Sequence, residues 1–272
     1  MPEFDRSTPV TVALSAHSGT VDIVAEERVS VLAEAQPLDG SEAARDAAEN
    51  TQISLEGDTL VVRAPEGSGW GWRRHGKMRI TVRVPLDSSL GIRTASADVR
   101  ATGRFATAQI EVASGDVRVG DVTGNAELRS ASGDVTAGRV GGSLRIHSAS
   151  GDLDVGDVAS DVIADAASGD ITIRSIGGSA KVETASGDIE VGVLRQGEAR
   201  VVSASGDVSV GVLAGTGVWL DVSTASGKTR NDLTMTGDAP VESTGATLQL
   251  RIRTASGDIQ IRRVTAQTPA AA

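Results

Sequence analysis

From residue 90 to residue 264, apolar side chains fall on a fixed grid. Measured from an aspartate that recurs along the chain, they stand eight and six positions before it and one and three positions after it. Around Asp116 they are Ala108, Ile110, Val117 and Val119, and around Asp170 they are Val162, Ala164, Ile171 and Ile173. Alternation with period two marks a strand with one buried face. Each unit therefore predicts two short strands, one on either side of the aspartate. A further aliphatic residue stands six positions after it, at Val122, Val140, Val158, Ile176, Leu194 and Leu213.

The anchor of the grid is the run Ala-Ser-Gly-Asp. Its aspartates, Asp116, Asp134, Asp152, Asp170 and Asp188, are spaced by 18 residues. Asp207 follows after 19, Lys228 (in Ala-Ser-Gly-Lys) after 21 and Asp258 after 30. An imperfect copy, Ala95-Ser96-Ala97-Asp98, stands 18 residues before Asp116, which makes nine copies. Glycine supplies positive φ, and aspartate closes a turn by accepting backbone N–H groups. Ser114-Gly115-Asp116, Ser132-Gly133-Asp134 and Ser150-Gly151-Asp152 are accordingly expected as structural turns. The serine column is expected to form a hydroxyl ladder, and the alanine column to pack at a tight corner.

A few aliphatic side chains cannot offset the entropy of ordering 18 residues, so one unit does not fold alone. Stacked units supply the missing contacts. Two strands and no helix in a short repeat predict an all-β chain built as a parallel β-solenoid, or β-helix, with coils about 4.8 Å apart. An antiparallel sandwich would not need the same side chain at every second strand.

Residues 1–89 lack the period but hold alternating segments at Val10–Leu14, Thr20–Val24, Val29–Leu32, Gln52–Leu55, Thr59–Val62 and Met78–Val84. Between them, Ser41 can cap a short helix running to Asn50. This predicts a strand-rich N-terminal cap, continuous with a solenoid of about nine coils over 90–264. An inserted loop is expected near 231–247 and a disordered tail at 265–272.

Three features together resemble the putative-adhesin β-strand-repeat family, DUF4097. They are the run Arg79-Ile-Thr-Val-Arg-Val-Pro85, the segment from Ile92 to Asp98, and the succession of Ser-Gly-Asp-aliphatic units. The resemblance implies a parallel β-helical bacterial protein, loosely linked to the cell envelope, with no established enzymatic activity. It supplies no catalytic residues.

Composition narrows the chemistry. Five of the 272 residues are aromatic, so the core must be aliphatic, and cysteine is absent, which excludes disulfides and thiolate sites. A formal charge of −10 argues against a generic nucleic-acid binder. No run is long and apolar enough to span a bilayer, and Met1 to Arg6 has no signal-like layout. The expectation is a cytoplasmic chain, with envelope association only through a partner.

No catalytic residue and no cofactor is expected. The aspartates Asp116, Asp134, Asp152, Asp170 and Asp188 form the one conceivable Ca²⁺ ladder, but one carboxylate per coil is thin ligation for a cation that takes six to eight oxygens. The loop 67–77 carries Trp70, Trp72, Arg73 and Arg74, residue types that dominate binding interfaces. Arg251, Arg253, Arg262 and Arg263 form the most basic terminal cluster. These eight residues are the expected partner contacts, with a protein, an anionic surface or a second copy as partner. The function expected is that of a non-enzymatic scaffold. The alternatives are a Ca²⁺-dependent structural rod and a carbohydrate-active β-helix enzyme; the latter lacks the sugar-stacking aromatics it would need.

Overall fold

The computed structural model describes residues 2–65, 76–233 and 247–265, which form 23 strands and one helix. The chain is a parallel β-solenoid. It divides into two compact units, residues 1–142 with 148–150, and residues 143–147 with 151–272.

In the first unit each coil contributes one strand to each of two faces. On one face Ala126–Ser130 pairs in parallel with Ala108–Ser114, which pairs with the first half of Ser89–Phe105. On the other, Val135–Ala137 pairs with Val117–Val122, which pairs with the second half of Ser89–Phe105. The stack does not stop at residue 89. Thr11–Glu26 lies parallel along Ser89–Phe105, Thr11 opposite Ser89 and Val24 opposite Thr102. Ser18-Gly19-Thr20 thereby occupies the place of Ser96-Ala97-Asp98, a further coil in which threonine stands for the anchoring aspartate. Beyond it, Thr59–Arg63 and Met78–Pro85 pair in parallel with its two halves, forming one more coil. That coil has the segment 64–77 where the others have a corner.

Antiparallel strands close this end. Gln52–Glu56 covers Thr59–Arg63, Ser30–Pro37 covers Met78–Pro85, and the short acidic Glu3–Asp5 edges Ser30–Pro37. Short, charged edges discourage pairing with another chain. The helix Glu42–Glu49 begins where expected, with Ser41 Oγ accepting the Ala44 amide at 3.1 Å. Its Ala43 backbone lies so close to Gly76 that a Cβ there would fall 2.1 Å from the Ala43 carbonyl oxygen.

In the second unit Val162–Ser168, Ala180–Ser186 and Gly197–Ser205 stack on one face, and Leu153–Val158, Ile171–Ile176, Ile189–Leu194 and Val208–Leu213 on the other. Chain order then breaks. Gly197–Ser205 pairs with Thr247–Ser256, which in turn pairs with Gly217–Ser226. Likewise Ile259–Val264 lies between Val208–Leu213 and Thr229–Asn231. The last coil in sequence is the penultimate one in space, and the Lys228 coil stands at the end.

The grid positions line the interior. Ile110, Leu128, Leu144, Leu153, Ile171 and Ile173 are all within 1 % of full burial, and Phe105 is the one ring in the core among the described residues. The terminal Lys228 coil lacks this pattern: Thr229 is exposed, and Asn231 and Leu220 are only half-buried.

Candidate functional site

The corners use most of the recurring polar groups. At Gly115, Gly133, Gly151, Gly169 and Gly187 φ lies between 115° and 139°. A Cβ on Gly187 would meet the Gly169 carbonyl oxygen at 2.1 Å, so only glycine fits such a corner. The carboxylates bond between coils, where a turn closed within one coil was expected. Oδ1 of Asp152, Asp170, Asp188 and Asp207 accepts the amide of Asp170, Asp188, Asp207 and Asp258 at 2.9, 2.8, 2.7 and 2.7 Å. Asp98 and Asp116 do the same for Asp116 and Asp134. The column ends where Asp258 Oδ1 accepts the Lys228 amide at 2.8 Å. These seven aspartates thus serve the next coil, and the terminal coil needs none, which explains its lysine. Among the described residues no group of three or more His, Asp or Glu side chains is placed to hold a metal ion.

The serine and alanine columns behave differently from expectation. Ala113, Ser114, Ala131, Ser132, Ala185 and Ser186 are exposed, so the alanines are not packed at a corner. The serines contribute their carbonyls: the Gly115, Gly169, Gly187 and Gly206 amides bond Ser132, Ser186, Ser205 and Ser256 oxygens at 2.9–3.0 Å. A hydroxyl column does exist, four positions before the aspartate and inside. Thr94, Ser130, Ser148, Thr184, Ser203 and Thr254 are buried. Their hydroxyls donate to corner carbonyls, as Thr184 does to Ser186 at 3.3 Å, Ser203 to Gly187 at 3.2 Å and Thr254 to Gly206 at 3.3 Å. The positive-φ corner leaves carbonyls facing the core, and a short hydroxyl satisfies them.

Ala97 is buried and takes no positive φ. Ser89–Phe105 runs through it as one unbroken strand of 17 residues, as Thr11–Glu26 does through Gly19. The Lys228 coil keeps the ordinary corner, with Gly227 at φ 153°.

Of the expected contact residues, Trp70, Trp72, Arg73 and Arg74 lie outside the described residues. The segment holding them replaces the corner of its coil: the Ala64 amide bonds Ser15 O at 2.9 Å, and Met78 stands opposite Gly19. The four arginines divide between two strands and are engaged within the chain. Arg251 pairs with Glu198 at 3.3 Å and lies 5.7 Å from the Trp219 ring centre. Arg253 pairs with Asp221 at 3.7 Å and Arg262 with Glu190 at 3.1 Å. Arg263 donates to the Leu213 and Thr216 carbonyls at 3.1 and 2.8 Å, pinning the connection that skips a coil.

Outward positions in the second unit carry an ion-pair ladder. Lys181 Nζ reaches Glu183 at 2.9 Å and Asp165 at 3.1 Å, Arg200 reaches Glu183 at 3.1 Å, and His147 Nδ1 stands 3.2 Å from Asp165. The hydrogen bond from Lys181, with a smaller one from Arg200, holds the Glu183 carboxyl below its ordinary range, and Glu183 and Asp165 raise Lys181 in return.

The first unit holds an open depression of about 430 Å³ on its outer face. Five strands from out-of-order segments line up there, with Val61, Ala13, Gly91, Gln109 and Glu127 in one column. Beside it runs Arg63, Ser15, Arg93, Glu111 and Arg129. Arg93, Glu111 and Arg129 share one repeat position, five before the anchoring aspartate, and so are aligned by the period. Arg63 and Ser15 are not, because no period connects residues 11–15 and 59–63 to residue 93.

Carboxylate-laddered Ser-Gly-Asp corners, aliphatic layers and parallel coils define a class: a parallel β-solenoid closed at one end by antiparallel strands. The family model described as Toastrack DUF4097 matches residues 11–262. The chain belongs to the Toastrack family, DUF4097. Among solved structures it is similar to a putative adhesin from Bacteroides fragilis, at 12 % identity and a TM-score of 0.46, over 97 % of this chain and 95 % of that one. It is also similar to a putative adhesin from Parabacteroides merdae, at 10 % identity and a TM-score of 0.27 over 97 % and 95 %, and to a putative cell adhesion protein from Clostridium sporogenes, at 9 % and 0.22 over 96 % and 94 %. No curated protein matches the chain. Among the described residues no helix is long and apolar enough to cross a membrane.

Proposed function

We propose that this protein is a non-enzymatic interaction scaffold of the adhesin type, binding a protein or envelope partner through side chains mounted outside a solenoid. One observation carries the reading. The recurring Asp, Gly and buried hydroxyl groups are committed to holding coils together, while one corner is opened into a 14-residue connection, 64–77, rich in Trp and basic residues. The other corners take at most four residues between their strands, and most take two, so this connection is far longer than stacking needs. Trp and Arg are the residue types that anchor interfaces.

Sedimentation with isolated bacterial envelope fractions tests this. The wild-type chain should pellet with the envelope. The double variant W70A/W72A should stay in the supernatant, with an unchanged far-ultraviolet circular dichroism spectrum. Retention equal to wild type would remove the loop from the account.

A further inference from the structure

The depression on the first unit has a composition that its neighbours lack. In the column of Gly91 the next two coils carry long side chains, Gln109 and Glu127. Gly91 and Ala13 leave the floor low over two coils. The backbone does not demand glycine at 91: a Cβ there would touch only the Val12 carbonyl oxygen, at an ordinary 3.5 Å. Glycine inside a strand costs stability, and where no turn requires it, it marks a close approach by something else.

Beside that floor, arginines stand on alternate coils, Arg63, Arg93 and Arg129, with Ser15 between the first two and Glu111 between the second two. Coils about 4.8 Å apart set these arginines about 9.6 Å apart. A peptide in the extended polyproline II form repeats every three residues and advances about 9.3 Å in doing so, so carboxylates on every third residue face one side at the arginine spacing. Arg63 has no carboxylate partner among the described residues. Arg93 pairs with Glu111 at 3.5 Å in an exposed contact, of the sort that a ligand carboxylate can replace at little cost. The Ser15 hydroxyl stands between the two as a further donor.

We infer that this groove binds an extended acidic peptide, its carboxylates seated on Arg63 and Arg93 and its backbone running over Ala13 and Gly91. The inference deepens the scaffold reading by assigning a ligand class to side chains other than those of the 64–77 connection. Charge favours the choice: three cations and two anions line the groove of a chain whose net charge is −10. Guanidinium groups present planar donor pairs that suit carboxylates.

Fluorescence anisotropy with the full chain tests it. The probe is a fluorescein-labelled 12-residue peptide with Glu at every third position and Ser or Thr elsewhere. Binding should weaken steeply with salt and vanish when Gln replaces Glu. R63A/R93A should weaken it more than about tenfold, and G91Q, which fills the floor as Gln109 does on the next coil, about tenfold, both with unchanged circular dichroism. Affinity within twofold of wild type in R63A/R93A overturns the site. Complete displacement by millimolar acetate or phosphate also overturns it, leaving an isolated oxyanion site. So does a dimer in sedimentation velocity that R63A/R93A abolishes, because a second copy is then the occupant. Loss of peptide binding with envelope retention intact removes this groove alone. Loss of retention in W70A/W72A with peptide binding intact removes the loop alone.

Discussion

The aspartate at each corner carries two opposed effects. Carboxylates one coil apart repel, by about 3–4 kcal/mol at an effective dielectric of 20 before screening, and at these exposed positions solvent and salt reduce that considerably. Against it, each Oδ1 accepts an amide of the next coil, and a hydrogen bond to a charged group is worth about 1.5–3 kcal/mol. The acceptor, more than the charge, is what the corner needs. Asp170, which takes the Asp188 amide at 2.8 Å, separates the two. D170A should lower the unfolding free energy by about 1–2 kcal/mol in urea denaturation. D170N keeps a carbonyl acceptor, sheds the repulsion and should lose less than half as much. Equal losses would make charge the decisive property. Glu183 supplies a test of the outer ladder. Its folded pKa lies below the unfolded value, so its contribution is present above the ordinary carboxylate range and disappears as pH falls through the depressed folded value. E183Q should cost less than about 1 kcal/mol at pH 7, as exposed pairs do, and nothing below that folded pKa, measured by thermal melts across pH. Much at this scale was legible: period-two alternation named nearly every core residue, from Leu90 to Ile261. The inner hydroxyl column was not, because its mixture of Thr, Ser, Val and Ala has neither strong hydropathy nor a fixed identity, and its purpose follows only from carbonyls turned inward by positive-φ glycine.

At the scale of elements, the paired strands and the helix from Ser41 follow from alternation and capping, while coil order does not. The Lys228 unit has Thr229 and Asn231 where other units have aliphatic residues, so it cannot sit between two coils without burying polar groups. The Asp258 unit, with Ile259 and Ile261, can. The chain therefore passes one place, lays down the polar coil, and returns to fill the gap. Those residues were visible in the sequence, and the lesson they hold is that a repeat lacking its apolar grid belongs at an end. The coil at Thr11–Glu26 escaped detection because Thr20 replaces the anchoring aspartate, and the next because its corner is replaced by 64–77. A chain without cysteine makes the order easy to check. Ser209 stands opposite Gln260, and Gln260 opposite Arg230. S209C/Q260C and R230C/Q260C should both form disulfides on mild oxidation, neighbouring strands being within reach of that bond. S209C/R230C, two coils apart, should not. Crosslinking of S209C/R230C alone would restore chain order.

For the whole molecule, stability belongs to the stack: no coil holds together without its neighbours, and the same arrangement leaves the outward columns free to vary without disturbing the core. That division lets one backbone carry an arginine groove on the first unit and an ion-pair ladder on the second. It also explains why function was less legible than fold. The groove draws its strands from 61–63, 13–15 and 91–93, segments that only the folded order brings together. The stacking itself is tested most directly by paired nitroxide labels on Thr172, Glu190 and Ser209, which stand in one column on three successive coils. Continuous-wave electron paramagnetic resonance should show strong dipolar broadening for 172/190, at about 4.8 Å between backbones, and weaker broadening for 172/209 at about 9.6 Å. A 172/190 spectrum no broader than the sum of its single-label spectra would contradict parallel, in-register coils.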